Sequence, residues 1–489
     1  MMLETLRGWA LRTPGRIAVR QDDEAISYLD FFRRVESFRR HFASMNLPVG
    51  GNVVVMIGHL TDHWCACLAL RSLGLTAVPV NTLAQADTLA LADPVLVVVS
   101  EPELPKRDLR SATLAGVRFH ALGMAAFAGM EAISPEMAPP LAAPFGNQVL
   151  QSSGTTGVAK KLLVLGANQE VHAREQAQKW HFTAETVYNG LEFPGSTMIG
   201  FHAPPAMWSV GGCMRFDQRT DWPERFFRYG TSSAFVLPPM IRQIHAAWAS
   251  SGLPPQNCEL RPGGGFVTQD LLAHGQACLS RPMRVVYGST ELTTYSLSQL
   301  LHTPEDLLWL SPDQREVQLV NAEGQEVAAG EEGELRIRRL PTDCTGYLGD
   351  PASSATHFRG EWFYPGDLAT RRADGRVRIL GRVSDVLVVA GRKLAMVPLE
   401  QHVQRILGVQ EVCLFSQLDK AGFEELVIAI QAPATPEAAL LDRARAEFTE
   451  YFNTVRCVVL PAFPRTATAM AKVRRAELRR MLFDEPPPG

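Results

Sequence analysis

In the first third of the chain, apolar residues at helical spacing alternate with short β-rich runs. Behind Ser27, a stripe at three- and four-residue steps is formed by Phe31, Val35, Phe38, Phe42 and Met45. This spacing predicts an amphipathic helix, and Ser27 stands where a serine hydroxyl can cap the first turn.

Short β-rich runs alternate with helical segments further along. Strands are predicted at residues 52–57, 77–80 and 95–100, and an apolar helix at 63–73 separates the first two. Alternation of this kind predicts a largely parallel sheet with helices on its faces. The first part of the chain is therefore expected to be α/β.

The pattern changes twice in the second half of the chain. Short alternating runs with turn signals between residues 317 and 339 predict a small β-rich subdomain. After residue 382 the predicted order is helix, strand, strand and helix, at 398–407, 411–415, 425–430 and 436–452. The predicted fold class is α/β, with a large N-terminal domain of βα subdomains, a small β-rich subdomain and a small α+β C-terminal domain.

Composition disfavours several kinds of partner. The 489 residues include 48 basic and 51 acidic ones, which gives a net charge of −3, and 46% are hydrophobic. We expect no nucleic-acid partner and no membrane partner, since both need concentrated positive charge. The N-terminus carries charges at Glu4, Arg7 and Arg12 and does not resemble a secretory signal, and no apolar run is long enough to span a bilayer. A cytoplasmic enzyme is expected.

The eight cysteines are scattered singly, except for Cys65 and Cys67. Such scatter in a long chain favours reduced thiols rather than a disulfide framework. His63 stands close to this pair and raises the question of a metal site. All three residues lie in the predicted apolar helix, where a Cys-x-Cys pair points to different faces, so core packing is the better interpretation.

Residues 151–161 read QSSGTTGVAKK and follow the apolar residues Val149 and Leu150. Glycines in such a stretch permit tight turns that aim backbone N–H groups at an anion, and hydroxyls and lysines add further donors. The stretch lacks the G-x-x-x-x-G-K-[ST] pattern of a Walker A loop. Taken alone, it is compatible with a phosphate-binding loop or with a solvated turn.

Four further stretches decide between these interpretations. They are LRPGGGFVTQ at 260–269, VVYGSTE at 285–291, the run from TGYLGDP to GRVSD at 345–385, and PRTATAMAKVRRAELRR at 464–480. Together with the loop at 152–160, they resemble, in order, the motifs of the adenylate-forming superfamily. That superfamily contains acyl- and aryl-CoA synthetases, carrier-loading adenylation domains and firefly luciferase. The resemblance covers essentially the whole chain.

The resemblance implies a domain organisation. An N-terminal core at residues 1–383 would hold ATP and the acyl group, and a mobile C-terminal domain at 384–489 would carry the catalytic Lys472. Ser384 would be the hinge between adenylation and acyl transfer, because a small residue can absorb the required change in φ and ψ.

The resemblance also assigns roles in nucleotide binding. Thr290 would bond the α-phosphate, Glu291 would ligate Mg²⁺, and Lys472 would contact both the attacking carboxylate and the α-phosphate, so these three form the predicted catalytic set. Tyr287 would stack on adenine, and Asp367 would accept hydrogen bonds from the ribose. The full set of predicted ATP- or CoA-binding residues is Ser152, Ser153, Gly154, Thr155, Thr156, Gly157, Lys160, Gly263, Gly264, Gly265, Tyr287, Asp367, Arg382 and Lys393.

The acyl pocket is predicted from a shorter likeness. His202 and Trp208 stand in a stretch that resembles the border of the family's acyl pocket, and core packing is an equal alternative for both. Gly264 and Gly288 complete the predicted substrate set. No aspartate stands between residues 202 and 212. An α-amino acid would leave its ammonium unpaired there, so an aryl or medium-length aliphatic acid is favoured.

ATP and Mg²⁺ are thus the expected cofactors, a carboxylic acid is the expected substrate, and CoA is the expected acyl acceptor. An amine is the first alternative acceptor, and the pantetheine of a carrier protein is the second. A different class of function is a nucleotide-binding relative without turnover, which the departures from the motifs at Ala159, Lys161 and Ala471 suggest. Retention of Lys472 argues against it, because binding alone does not need this lysine. At Pro365 the threonine hydroxyl usual in the family is missing.

Overall fold

The chain forms two compact units that interleave in sequence. In the computed structural model, one unit comprises Met1–Leu307 and Arg339–Phe363, and the other comprises Leu308–Arg338 and Tyr364–Gly489. The structure describes residues 2–82, 85, 94–100, 114, 116–140, 144–152, 160–383, 386–389, 392–409, 411–418, 424–452, 454–465 and 473–483. The predicted boundary between residues 383 and 384 falls inside the second unit, and as the position of a hinge it stays a prediction.

Helices lie at the four places where apolar spacing predicts them, and further helices lie where the sequence analysis makes no prediction. The α-helices are α1 (Met2–Arg12), α2 (Tyr28–Ala43), α3 (Leu60–Ser72), α4 (Gln169–Lys179), α5 (Met198–Ser209), α6 (Trp222–Arg225), α7 (Pro238–Ser251), α8 (Gln269–Cys278), α9 (Pro351–His357), α10 (Met396–Leu407), α11 (Ala438–Ala446) and α12 (Arg475–Phe483).

The β-strands are short, and most contain two to eight residues. They are β1 (Ile17–Gln21), β2 (Glu24–Ser27), β3 (Asn52–Met56), β4 (Thr76–Pro79), β5 (Pro94–Ser100), β6 (Phe119–Leu122), β7 (Gln148–Ser152), β8 (Lys160–Val164), β9 (Val187–Asn189), β10 (Cys213–Phe216), β11 (Ser233–Val236), β12 (Glu259–Pro262), β13 (Met283–Ser289), β14 (Thr294–Leu301), β15 (Ser311–Pro312), β16 (Val317–Val320), β17 (Glu332–Arg338), β18 (Phe358–Arg359), β19 (Trp362–Phe363), β20 (Asp367–Arg371), β21 (Val377–Arg382), β22 (Val386–Val389), β23 (Arg392–Ala395), β24 (Glu411–Leu418), β25 (Glu424–Gln431) and β26 (Thr454–Leu460).

Two six-stranded sheets organise the first unit. One has the strand order β6-β5-β3-β4-β7-β8, and the other has the order β12-β11-β9-β10-β1-β2. In each sheet the strands run parallel, except that an edge strand, β8 or β2, runs antiparallel to its neighbour. The prediction of largely parallel sheets is therefore confirmed. An antiparallel pair of β13 and β14 follows them in the chain.

The predicted cap of α2 is present. The Ser27 hydroxyl accepts a hydrogen bond of 3.1 Å from the Asp30 backbone N–H, which satisfies one of the amide groups that a helix N-terminus leaves unpaired. The apolar stripe is buried as far as Phe42. The helix itself ends at Ala43, so Met45 lies beyond it.

Helix α3 is buried on all sides, and this explains its cysteines. His63, Cys65 and Cys67 are all buried in it, and burial raises the pKa of the Cys67 thiol to about 12 and lowers that of His63 to about 4. Both groups are therefore neutral near pH 7, as core packing requires. All eight cysteines of the chain are free thiols.

Among the described residues, no group of three or more His, Cys, Asp or Glu side chains is arranged to hold a metal ion. In the same part of the chain, no helix has the length and apolar character needed to cross a membrane. The predicted cytoplasmic location stays a prediction.

The second unit begins with antiparallel β-structure. β17 pairs with β16 and with β20, and β20 pairs with β21. The turn between β20 and β21 contains Asp374, whose carboxylate accepts a hydrogen bond from the Arg376 backbone N–H, and Gly375 has a φ of +88°. Asp374 thus serves a hairpin turn.

The rest of the second unit is an α+β module. β24 pairs antiparallel with β25, which pairs parallel with β26. The predicted helix at 436–452 is too long, because α11 ends at Ala446. Tight turns follow it, in which the Phe448 N–H donates to the Arg445 carbonyl and the Tyr451 N–H donates to the Phe448 carbonyl. These turns bury Phe448 and Phe452 in the core.

A buried carboxylate ties the final helix α12 to this module. Glu400 is 6% exposed, and it accepts hydrogen bonds from Arg475 at 2.6 Å on each oxygen and from the Leu414 backbone N–H at 2.8 Å. Arg475 is the first residue of α12. Both bonds come from the single nitrogen Nη2, and hydrogen bonds between two charged groups are stronger than those between neutral groups.

We expect Glu400→Gln to loosen α12, because the neutral amide loses the charge that holds Arg475. The expected cost is about 2 kcal/mol, so amide hydrogen exchange in α12 should accelerate by a factor of about 5–30. Glu447→Gln is the control, since it removes only a solvent-exposed contact with His402. Equal exchange in both variants would contradict the anchoring role.

Candidate active site

The predicted phosphate loop joins two paired strands. Ser152, the last residue of β7, lies opposite Lys160, the first residue of β8, in an antiparallel register. The pairing closes the loop at its base and fixes the direction of both ends. The predicted ligands between these two ends, Ser153, Gly154, Thr155, Thr156 and Gly157, lie outside the described residues.

The predicted metal ligand Glu291 is buried behind the end of β13. It lies in a single 3₁₀ turn with Thr290 and Leu292, is 7% exposed, and accepts a hydrogen bond of 2.9 Å on Oε1 from the Tyr347 hydroxyl. In the described part of the chain, Oε2 receives no hydrogen bond and the carboxylate forms no ion pair. Thr290, the predicted α-phosphate ligand, is half-buried beside it.

This arrangement fits a Mg²⁺ ligand. Mg²⁺ in nucleotide sites is held by one or two carboxylates together with phosphate oxygens and waters, rather than by a cage of protein groups. Glu291 offers one carboxylate oxygen that is held in place and a second that no described side chain occupies. The role of this residue stays a prediction that the geometry is compatible with.

The turn that carries Glu291 is fixed from behind by a buried histidine. His172 Nε2 lies 2.9 Å from the Thr342 carbonyl, so it must be the donor, and Nδ1 lies 3.2 Å from the Thr293 hydroxyl oxygen. Thr293 has a φ of +58°, which is rare for a β-branched residue and is kept only where neighbours enforce it. The sequence gives no local signal for this contact between α4 and the turn.

The glycines of the predicted adenine side allow close backbone approach. Gly263 bridges to Val286, and a Cβ on Gly263 would lie 2.7 Å from the Phe235 ring. Gly264 has a φ of +75°, and Gly265 has no neighbour within 3.4 Å of such an atom. A side chain is thus excluded at the first position by contact and disfavoured at the second by conformation.

Tyr287 and Gly288 lie on β13 where its register with β14 shifts. Tyr287 is half-buried, and a Cβ on Gly288 would lie 2.5 Å from Tyr295 Cα and 2.7 Å from the Thr294 carbonyl oxygen. Gly288 is therefore required for the two strands to approach each other. Its predicted contact with substrate is a separate matter and stays a prediction.

A pair of buried aromatic side chains that sequence reasoning missed lies beside Gly263. Phe193 and Phe235 are 4% and 8% exposed, with ring centroids 5.6 Å apart at an interplanar angle of 71°. The Phe235 ring is also the group that a Cβ on Gly263 would meet. A pair of isolated phenylalanines has no motif, so only the fold brings them to the glycine segment.

The two predicted acyl-pocket residues have different surroundings. Trp208 is fully buried, donates from Nε1 to the Ala18 carbonyl at 3.1 Å, and lies 4.8 Å from Phe31 and 5.3 Å from Trp64 between ring centroids. This placement favours the alternative of core packing, because its polar atom and its ring faces are already satisfied.

His202 has a different environment. It is 3% exposed, and its Nε2 atom has no hydrogen-bond partner in the described structure. Burial, followed by the neighbouring His172 and Arg71 side chains, holds its pKa well below the usual value. The ring is therefore neutral near pH 7, and its contact with an acyl group stays a prediction.

The predicted ribose ligands form a pair in the second unit. Arg382 Nε lies 3.3 Å from the Asp367 carboxylate, and Asp367 is 7% exposed at the start of β20. Arg382 also donates from Nη1 to the Pro365 carbonyl. The arginine thus orients the carboxylate, and the proline that replaces threonine still contributes an acceptor through its backbone.

Three predicted residues are less well placed. The Lys393 backbone lies in β23 opposite Val388, and its side chain lies outside the described part. Ser384 and Lys472 also lie outside the described residues. The hinge and the catalytic lysine therefore stay predictions.

Comparison with known proteins gives one family match and several whole-chain likenesses. The model of the family described as AMP-binding enzyme matches residues 6–348. The chain is 26% identical to pyochelin synthase PchD of Pseudomonas aeruginosa over 99% of this chain and 92% of that protein. It is 25% identical to a 4-chlorobenzoate–CoA ligase of an Arthrobacter species over 98% and 95%.

The fold is also similar to that of solved structures. ATP-bound MatB from Rhodopseudomonas palustris matches with a TM-score of 0.81 at 20% identity, and the match covers 99% of each chain. At that identity the likeness concerns the fold, and it supports a large N-terminal and a small C-terminal domain.

We expect Gly288→Ala to destabilise the first unit, because its new methyl group would force β13 and β14 apart. Overpacking of this kind costs about 1–3 kcal/mol. Gly265→Ala is the matched control, since its methyl group would have its nearest neighbour at 3.5 Å. Thermal unfolding should show a lower midpoint for the first variant alone, and equal midpoints would contradict the close-approach argument.

Proposed function

The chain belongs to the family of AMP-binding enzymes, and on that premise we propose that it activates a carboxylic acid with ATP and passes the acyl group to CoA. A carboxylate oxygen attacks the α-phosphorus of ATP, the bond to the bridging oxygen breaks, and pyrophosphate leaves. The thiol sulfur of CoA then attacks the acyl carbonyl, AMP leaves, and the thiol proton passes to solvent. The observation that carries the proposal is the buried Glu291 carboxylate beside Thr290.

The residues proposed for the first step would offset the repulsion between the carboxylate and the triphosphate. An anionic acid must reach an anionic triphosphate, so the site needs donors fixed in advance. Thr290 would donate to the α-phosphate, Lys160 would add positive charge where the phosphate loop ends, and Lys472 would contact both reacting groups. Bound Mg²⁺ would supply neutralisation of phosphate charge, with Glu291 holding it.

The residues proposed for the nucleoside hold it in register with the reacting phosphate. The Asp367 carboxylate, oriented by Arg382, has the acceptors that two ribose hydroxyls need. Tyr287 would stack on adenine beside the glycine segment 263–265. These roles rest on the motifs, and the ion pair supports the ribose assignment.

An aryl acid is the favoured substrate. The buried Phe235 ring lies against Gly263 and packs on the Phe193 ring, and aromatic walls bind flat apolar ligands well. The likeness to a 4-chlorobenzoate–CoA ligase supports the same class. A medium-length aliphatic acid is the second choice.

CoA is the favoured acceptor because a relative named as a CoA ligase matches nearly the whole chain. An amine or a carrier-protein pantetheine remains the alternative acceptor. The different class, a nucleotide-binding relative without turnover, predicts ATP binding with no acid-dependent chemistry.

One experiment separates these functions. The protein is incubated with ATP, Mg²⁺ and a panel of aryl and aliphatic acids, with CoA, an amine or neither, and product masses are read. We expect AMP with an acyl-CoA for at least one aryl acid. An amide alone would favour the amine acceptor, and absence of AMP with every acid would contradict the proposal.

We expect Lys472→Ala to slow acid-dependent pyrophosphate release by a factor of about 100–1000, the usual effect of removing one fixed donor to a developing charge. Arg480→Ala is the control from the same basic segment, and it should release pyrophosphate at the wild-type rate. Circular dichroism checks that both variants are folded. Equal rates in the two variants would remove Lys472 from the catalytic set.

We expect Asp367→Asn to weaken ATP binding about 10- to 100-fold, because hydrogen bonds to a charged acceptor are worth about 1.5–3 kcal/mol. Asp374→Asn, in the exposed turn that follows on the same hairpin, is the control. Calorimetric titration with ATP in the absence of acid measures both. An unchanged Kd for Asp367→Asn would refute the ribose role.

A further inference from the structure

Tyr347 lies between two charged groups of the candidate site. Its hydroxyl donates to Glu291 Oε1 at 2.9 Å, and its ring centroid lies 4.5 Å from the Lys160 ammonium nitrogen. Tyr347 itself is 7% exposed. One buried side chain thus contacts both the predicted metal ligand and the lysine at the end of the phosphate loop.

The backbone of Tyr347 is held on two sides. Tyr347 forms an antiparallel bridge with Leu162 of β8, and the Leu348 N–H donates to the Lys161 carbonyl at 2.9 Å. The Tyr347 N–H donates to the Ser354 hydroxyl at 2.8 Å at the start of α9. The tyrosine is therefore pinned to the strand that leaves the phosphate loop.

The ring is held as well. Its centroid lies 5.3 Å from the Phe358 ring and 5.8 Å from the His357 ring, both in edge-to-face arrangements. A side chain with a fixed backbone and a fixed ring can determine the position of groups that bond to it.

The contacts with Tyr347 do not neutralise the charge of Lys160 or of Glu291. A lysine and a glutamate close together would pair directly, and each would then be less available to a ligand. In the described part of the chain, Lys160 and Glu291 form no ion pair with each other. A phenol can donate to a carboxylate and present its ring face to an ammonium while it stays neutral.

We propose that Tyr347 is a positioning residue that holds the Glu291 carboxylate for a divalent cation and the Lys160 ammonium for phosphate while keeping their charges from cancelling. This inference rests on the proposed function, in which both groups meet Mg²⁺ and ATP. The hydroxyl serves the carboxylate and the ring serves the lysine, so the two parts can be removed separately.

The test measures metal binding apart from catalysis. Mn²⁺ replaces Mg²⁺, and electron paramagnetic resonance counts free Mn²⁺ in the presence of saturating ATP and no acid. For Tyr347→Phe, which keeps the ring, we expect Mn²⁺ to bind about tenfold more weakly in the ATP complex, since one hydrogen bond to a charged group is lost. ATP affinity measured without metal should be unchanged.

Tyr347→Leu removes the ring too, and metal-free ATP should then also bind more weakly. Tyr28→Phe is the matched control, because it removes a buried tyrosine hydroxyl that donates to the Gly212 carbonyl at 2.8 Å. It should leave both affinities unchanged, and thermal unfolding of all three variants shows whether they remain folded.

The outcomes separate this inference from the proposed function. Equal or tighter Mn²⁺ binding in Tyr347→Phe would overturn the positioning role, whatever acids the enzyme activates. Weaker Mn²⁺ binding in Tyr347→Phe, together with a wild-type protein that activates no acid, would support the positioning role and overturn the proposed reaction.

Discussion

The Glu291 carboxylate, which is buried and forms no ion pair with any described residue, constrains the candidate active site more than any other group. Burial of an uncompensated charge is costly, so proteins keep such a group only where hydrogen bonds or a ligand offset the cost. Among the described residues, the Glu291 carboxylate accepts one hydrogen bond, from Tyr347 on Oε1, and Oε2 accepts none. The surrounding strands and turns hold a charge whose partner we propose to be a ligand.

The backbone around this carboxylate allows neighbouring segments to approach each other closely. Gly288 lets β13 and β14 come together just before the turn, and Thr293 takes a left-handed conformation just after it. His172 contacts Thr293 at the end of that turn through Nδ1 and the Thr342 carbonyl through Nε2. Because each contact limits the next, the carboxylate has little freedom left, which is what a site for a metal–nucleotide complex requires.

The sequence predicted what local patterns determine. The alternation of strands and helices predicted the parallel sheets, and Ser27 predicted the cap of α2. The motif residues Asp367 and Arg382 lie together as an ion pair. The end of α11 was predicted six residues too late. Phe448 and Phe452 are four residues apart, as in a helix, but here turns bury both side chains.

Contacts between distant segments could not be predicted in this way. Tyr347 lies 56 positions from Glu291 in the chain, and a tyrosine in a loop carries no signal that names its partner. For Trp208, the position in a motif-like stretch left two interpretations open, a wall of the acyl pocket and core packing. Its burial and its hydrogen bond in the structure favour core packing. Such residues need the tertiary structure.

In the proposed reaction, an organic acid displaces pyrophosphate from ATP. Exchange of labelled pyrophosphate into ATP, measured with Mg²⁺ and an aryl acid but without any thiol, tests this step directly because only a reversible acyl-adenylate permits it. We expect exchange that depends on both the acid and the metal. Release of ADP and phosphate, or no exchange with any acid, would contradict the account.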